Sequence, residues 1–315
     1  MTEERLPKLD FAVEKDFSEI LTNPFMDIAA RFWDEPRYQA FRVCYRSMRR
    51  IDDLVDDRKV VGAPLGESER AGYLEAMNQW LDAVRSGHAT DDYTRDLLAT
   101  MNRFSTPLWP WERLCRAMTY DLEHDGFRSY RTFLRYCEGA AIAPASVFVH
   151  LCGVEETSEG PYRPPDFDIR RTARPLALFA YLVHIQRDFV KDQLRGLHYF
   201  ADDLMSANSL TRQDLRQAAE TGEISPNLRA LFGRYRILAD YYRRQSRQVL
   251  DRLPRSVAPR YRLSLEVIYG LYSLVFERID PVSGSFSGKE LTPSADEIRE
   301  RLQSIITAFK ADNDL

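Results

Sequence analysis

Two short stretches of the chain carry carboxylates at a spacing that could hold a divalent cation. In RSMRRIDDLVDD, Asp52 and Asp56 stand four residues apart; in HIQRDFVKD, Asp188 and Asp192 repeat that separation. On a helix, side chains four apart share one face, with Cβ atoms about 5–6 Å from each other. Carboxylates so placed repel one another. A hard cation such as Mg²⁺ cancels that repulsion and binds phosphate oxygens and water alongside the protein ligands. The chemistry this points to is metal-assisted handling of a phosphorylated substrate.

Spacing alone does not single these pairs out. Asp53/Asp57, Asp92/Asp96 and Asp121/Asp125 have it too, and a solvated helix face explains a bare pair. The neighbours make the difference. Tyr45, Arg49, Asp52 and Asp56 follow steps of four, three and four, while Tyr181, His184, Asp188 and Asp192 follow steps of three, four and four. The second stripe crosses LALFAYLVHI, an apolar helix on which ionisable groups are costly without partners. A polar line there predicts the wall of a wet or metal-filled cavity, with a buried salt-bridge network as the alternative. His184 reads as a core histidine or as a site group, and an unperturbed imidazole titrates near neutrality.

The elements that must carry these stripes are helices. Glycine is sparse, with 14 in 315 residues, strand-like alternation is hard to find, and Arg and Leu favour helix. Asn23-Pro24 opens a helix to about residue 33, and Pro36 opens a second to about 58. After the loop VVGAPLGES, helices are predicted near 67–86, 91–104, 110–124 and 129–152. A polar, Pro-rich connection over 154–166 precedes a long helix over 167–195. Further long helices fall near 226–252, 256–280 and 294–311. The two acidic stripes lie on opposite sides of the Pro-rich connection, so one continuous helical domain building its site from facing helices is expected.

Bulk properties narrow the function classes. A net charge of −4 supplies no basic field, so no nucleic acid partner is expected. Cys44, Cys115, Cys137 and Cys152 form no CxxC pair and read as buried hydrophobes in a reduced, cytoplasmic setting. The first residues are charged and lack the apolar run of a signal peptide. The longest apolar run, Ala140 to Leu151, falls short of the roughly 20 residues of a membrane span.

With the segments around them, these residues resemble the squalene/phytoene synthase family. Asp52 to Asp56 with Tyr45 and Arg49 look like its first acidic motif, and RDFVKD with Arg187 looks like its second. AMTYDL is similar to its GMxxDL segment, YCEGAA to its YCxxVA segment, and RGLHYFA to a shortened RGRxYxP. Tyr261 and Arg278 stand where the family has a tyrosine and an arginine. Departures fall at Ile142, Ala145, Tyr181, His184, Leu197 and Ala201, where the family carries glycines, a glutamine, an asparagine, an arginine and a proline.

The resemblance implies an all-α, single-domain isoprenoid synthase bundle with a central cavity over residues 23–315, after a polar N-terminal segment, 1–22. It implies a Mg²⁺-dependent prenyltransferase, with Mn²⁺ as a substitute, joining two prenyl diphosphates head to head through a cyclopropyl diphosphate. Farnesyl diphosphate is the favoured substrate, and a squalene-, dehydrosqualene- or phytoene-type hydrocarbon the product. Asp52, Asp56, Asp188 and Asp192 would hold the metal; Arg49, Arg187 and Arg278 would bond the diphosphate; Tyr45 and Tyr261 would place the allylic cation. Tyr181, His184, Ala141 and Ala145 would contact the substrate. The small side chains and Pro144 of AAIAPASVF suit a hydrocarbon tunnel and close helix packing equally. NADPH, which squalene synthases bind without GxGxxG, stays open as a cofactor. A product that partitions into lipid would bring peripheral membrane contact, and the oligomeric state is open. A single-substrate terpene synthase, a prenyl diphosphate phosphatase and a non-catalytic helical partner protein are the competing expectations.

Overall fold

A computed structural model describes residues 24–60, 65–89, 91–254 and 256–312, without the side chains at 56, 57, 59 and 60. The expected N-terminal segment 1–22 lies outside the described residues, as does the side chain of Asp56.

Helix punctuation in the sequence is where the helices start and stop. Phe25–Ala30 (α1) follows Pro24, and Glu35–Val60 (α2) carries Pro36 in its first turn. Glu67–Ser86 (α3) ends on Gly87, whose φ of 71° is the left-handed conformation that closes a helix and favours glycine. Asp91 caps Asp92–Arg103 (α4) by accepting from the Thr94 amide. Trp109–Glu123 (α5) opens on Pro110, and Ser129 caps Tyr130–Cys137 (α6). Asp168 caps Ile169–Arg187 (α8), and Thr211 with Asp214 forms a reciprocal capping box on Arg212–Thr221 (α11). Between α6 and α8 runs Ala143–Gly153 (α7). Phe189–Leu194 (α9) and Asp202–Ala207 (α10) precede α11. The C-terminal third comprises Pro226–Leu250 (α12), Pro259–Arg278 (α13), Gly288–Leu291 (α14) and Ala295–Asp312 (α15). The described residues hold no strand, only an isolated bridge between Glu155 and Arg163. The all-α expectation is met.

Two of the expected long helices are interrupted, both beside the site. Residues 129–152 split into α6, a π-helical turn over Glu138–Ile142, and α7. Pro144 has no N–H to give the carbonyl four residues back, so the ladder widens there. Gly139 fixes where. A Cβ on it would stand 2.1 Å from the Arg113 carbonyl oxygen of α5, so the π turn can lie against α5 only with glycine at that position. The helix expected over 167–195 breaks at Asp188 (φ −89°, ψ 7°), which ends α8 and begins α9. The amide of Asp192 still donates to the Asp188 carbonyl at 2.8 Å, so the two aspartates stay one turn apart across the break.

The core is continuous. α8 lies at its centre, packed by α12, α7, α13 and the π turn, while α2 packs on α5 and α7. All four cysteines are free and buried, as expected. No described helix is long and apolar enough to cross a membrane.

Candidate active site

Where α2, the π turn and α7, α8, α9 and α13 face one another they leave a cavity of about 430 Å³. α2 contributes Tyr45, Arg49, Asp52 and Asp53; α8 and α9 contribute Tyr181, His184, Asp188, Lys191 and Asp192. Tyr45, Arg49 and Asp52 of the first stripe and all four residues of the second therefore face the same space. Along α8 the lining changes from Asp188 through His184 and Tyr181 to Ala177 and Ala173, again in helical steps. The wall passes from charged to apolar over about four turns. Ala140, Ala141, Pro144, Ala145 and Phe148 continue the apolar part, so the small side chains of AAIAPASVF border open volume as well as packing helices.

Asp52, Asp53 and Asp188 are each met by an arginine close to them in the chain. Arg49 Nη1 lies 2.6 Å from Asp52 Oδ2, and its other amino group bonds Asp53. Arg187 donates from Nε to Asp188 Oδ1 at 2.6 Å and from Nη2 to Oδ2 at 3.2 Å. Burial works to raise the Asp188 pKa. The Arg187 hydrogen bond and the charges of Arg187 and Lys191 outweigh it and hold the carboxyl below its ordinary range.

Arg187 also decides the state of His184. Its Nη2 lies 2.7 Å from His184 Nδ1, and a guanidinium has only donors, so Nδ1 must accept. The ring proton then sits on Nε2, 3.4 Å from Asp188 Oδ2. Desolvation, followed by the Arg187 charge, pushes the imidazole pKa down to about 4. A histidine titrating near neutrality is thereby corrected: His184 is a neutral linker between Arg187 and Asp188.

Three expected residues are not on the cavity wall: Arg187 reaches it only through Asp188 and His184, and Tyr261 and Arg278 point elsewhere. Tyr261 begins the face of α13 that continues through Leu265, Ile268 and Tyr272, but only the last three reach the cavity. The Tyr261 hydroxyl bonds the Asp34 carboxylate and accepts from buried Arg37 at 2.5 Å, tying α13 to the start of α2. Arg278 donates to the Glu290 carbonyl at 2.9 Å and pairs with Glu297, anchoring α14 and α15. Neither side chain lines the cavity, and their expected roles there are corrected to structural ones.

Other residues take their places. Tyr272 supplies the aromatic surface expected of Tyr261, and Lys191 and Arg195 supply cations. The spacing from Ile268 places Tyr272 on the wall, a signal available only once Leu265 and Ile268 are known to face inwards. Tyr136, Tyr181 and Tyr199 form a second aromatic wall. Tyr136 donates to Asp121 Oδ2 at 2.7 Å, and Asp121 is 6% exposed. Of the pair with Asp125, then, only Asp125, 74% exposed, is solvated.

The donor set suits a hard cation. Asp52, Asp53, Asp188 and Asp192 are all oxygen ligands opening on one cavity, beside cations that could share a phosphate. Among the described residues no three such side chains already converge as a metal cluster.

Comparison with known proteins gives a family and a fold. A family model described as squalene/phytoene synthase matches residues 26–291. A solved structure described as a dehydrosqualene synthase in complex with ligand is similar at a TM-score of 0.68 and 16% identity, over 94% of this chain and 97% of that one. The squalene synthase HpnC from Alicyclobacillus acidocaldarius is similar at a TM-score of 0.52 and 18% identity, over 76% of this chain and 95% of that one. No curated protein sequence matches the chain.

Proposed function

Since the chain belongs to the squalene/phytoene synthase family and is a prenyltransferase, we propose that it condenses two prenyl diphosphates head to head, farnesyl diphosphate being favoured. The carrying observation is the single cavity that starts between two carboxylate-bearing helices and runs on between alanines. Asp52, Asp188 and Asp192, with Asp56, would hold Mg²⁺. When bound, that ion neutralises a diphosphate and makes it a better leaving group.

The chain's own residues would do the remaining work. Arg49, Arg187 and Lys191 offer charge-assisted hydrogen bonds to diphosphate oxygens once a ligand competes with their carboxylate partners. As the carbon–oxygen bond breaks, its electron pair leaves with pyrophosphate, and the allylic cation stays in the apolar part of the cavity. Tyr45 and Tyr272 present aromatic surface there. Ala141, Ala145 and Ala177 leave room for the prenyl chains, and the surrounding apolar side chains exclude water that would otherwise capture the cation. The double bond of the second substrate attacks, a proton is lost, and the cyclopropyl diphosphate forms.

Incubation with farnesyl diphosphate and Mg²⁺ tests the reading. A C30 product and pyrophosphate release that stops in excess EDTA are expected. A C15 product alone would make the protein a single-substrate synthase or phosphatase, and undiminished release with chelator would remove the metal from the mechanism.

A further inference from the structure

The three most exposed large apolar side chains among the described residues, Val282 at 83%, Ile237 at 66% and Tyr241 at 52%, belong to one surface. The loop after α13 lies along α12. Arg236 Nε donates to the Ile279 carbonyl at 3.0 Å, Pro281 lies 3.6 Å from where a Cβ on Gly233 would stand, and Arg229 donates to the Gly284 carbonyl at 2.9 Å. Val282 therefore projects beside the turn from Ala230 to Arg234. Ile237 and Tyr241 follow Arg234 along the outward stripe of α12 in steps of three and four.

This surface has a charge opposite to that of the whole. α12 carries six arginines and one aspartate, Asp240, in a chain of net charge −4, and one of the six, Arg247, is neutralised by Asp251 and Glu266 at 2.8 and 2.6 Å. Arg229 and Arg236 bond only uncharged carbonyls. Arg243 and Arg244 share Asp240, at 2.8 and 3.2 Å. Arg234 has no hydrogen bond or ion pair among the described residues. Even with Asp280 counted beside Val282, positive charge prevails.

We propose that the outward face of α12, with the Val282 loop, seats the protein on an anionic lipid surface. Protruding apolar side chains rimmed by guanidinium groups match the boundary between acyl chains and phosphates. Ile237 and Val282 would enter the acyl side, Tyr241 would lie at the interface with its hydroxyl in the headgroups, and the exposed Arg234 and Arg244 would meet lipid phosphates. Three apolar side chains among arginines are too few, and too charged at the centre, for a stable protein–protein interface of about 800 Å² per partner. The proposal does not depend on the condensation reaction, because its readout is binding.

The test is flotation of the full chain with vesicles of phosphatidylcholine, with or without phosphatidylglycerol. Wild type should float with the anionic vesicles only, and should be released at about 1 M salt, where screening shortens to ~3 Å. Arg234→Ala and Arg244→Ala should each weaken partitioning roughly fivefold. Ile237→Ser with Val282→Ser should weaken it too, with the melting temperature unchanged because all of these side chains are exposed. Absence of flotation with anionic vesicles, or flotation of the variants like wild type, overturns the proposal. So does sedimentation showing a wild-type dimer that Ile237→Ser with Val282→Ser dissociates, since a second copy would then own the surface.

Discussion

Asp52 and Asp188 sit on different helices, yet each carboxylate is held by an arginine three residues before it or directly before it. Both then offer a charge to the same cavity, and Asn at either position keeps the shape while removing that charge. Asp52→Asn and Asp188→Asn should each lower kcat by roughly 10²–10³-fold or more, the scale of losing one group that stabilises developing charge. Asp92→Asn is the control: its side chain is 90% exposed and pairs with Arg95 on the surface. A comparable loss in all three variants would remove the assignment. His184 is tested by contrast rather than by deletion. Asn can accept from Arg187 and donate to Asp188 as the imidazole does, whereas Leu can do neither. His184→Asn should keep activity within about tenfold of wild type, and His184→Leu should lose more, both measured as kcat/KM. Equal activities would make the imidazole a bystander. At this scale the stripes through Asp52 and Asp188 were legible because both helices are regular up to those residues. Tyr261 was misplaced because periodicity gives a face and not a depth; its face is right, but its hydroxyl meets Asp34 and Arg37 before the cavity begins.

The segment from α6 to α7 shows what an element adds. Small residues and a proline can be counted in EGAAIAPAS, but a π turn depends on what lies across from it. Here the opposing group is the Arg113 carbonyl, which only a residue without a Cβ can approach. Gly139→Ala should therefore push the π turn off α5. The expected cost is about 1–3 kcal/mol of stability, as for other overpacked sites, seen as a lower urea midpoint with m unchanged. Because Ala140 and Ala141 of the same turn border the cavity, KM for the prenyl diphosphate should rise as well. An unchanged midpoint would mean that the turn accommodates the methyl by a shift too small to matter. The break at Asp188 has no marker in the sequence: nothing in HIQRDFVKD stops a helix, and no glycine or proline stands at the position. Caps and prolines, being local, were legible; widened turns and breaks were not.

Across the whole molecule, stability on acidification combines groups that titrate in two windows. His150 of α7 is buried, with Nε2 2.8 Å from the Phe104 carbonyl, so the neutral ring donates its proton there. Burial lowers its pKa despite that bond. In the unfolded chain the imidazole takes up a proton near pH 6.5. Between that value and the lower folded one, the unfolded state binds a proton that the folded state does not. Stability is therefore full above about pH 6.5 and falls as the pH drops, by at most about 1.4 kcal/mol per pH unit for one such group. His184 acts in the same direction, weakened by its exposure to the cavity. Asp34 and Asp188 form the second window. Their folded pKa values lie below the ordinary carboxylate value, so their contribution is present above about pH 4 and is lost as pH falls through the folded values. His150→Gln keeps an amide donor for the Phe104 carbonyl but cannot titrate. Denaturation midpoints taken from about pH 7 to 5 should decline less steeply in this variant than in wild type. Identical slopes from pH 7 to 5 would show that burial does not keep His150 neutral, and that α7 tolerates a charged imidazole behind the cavity wall.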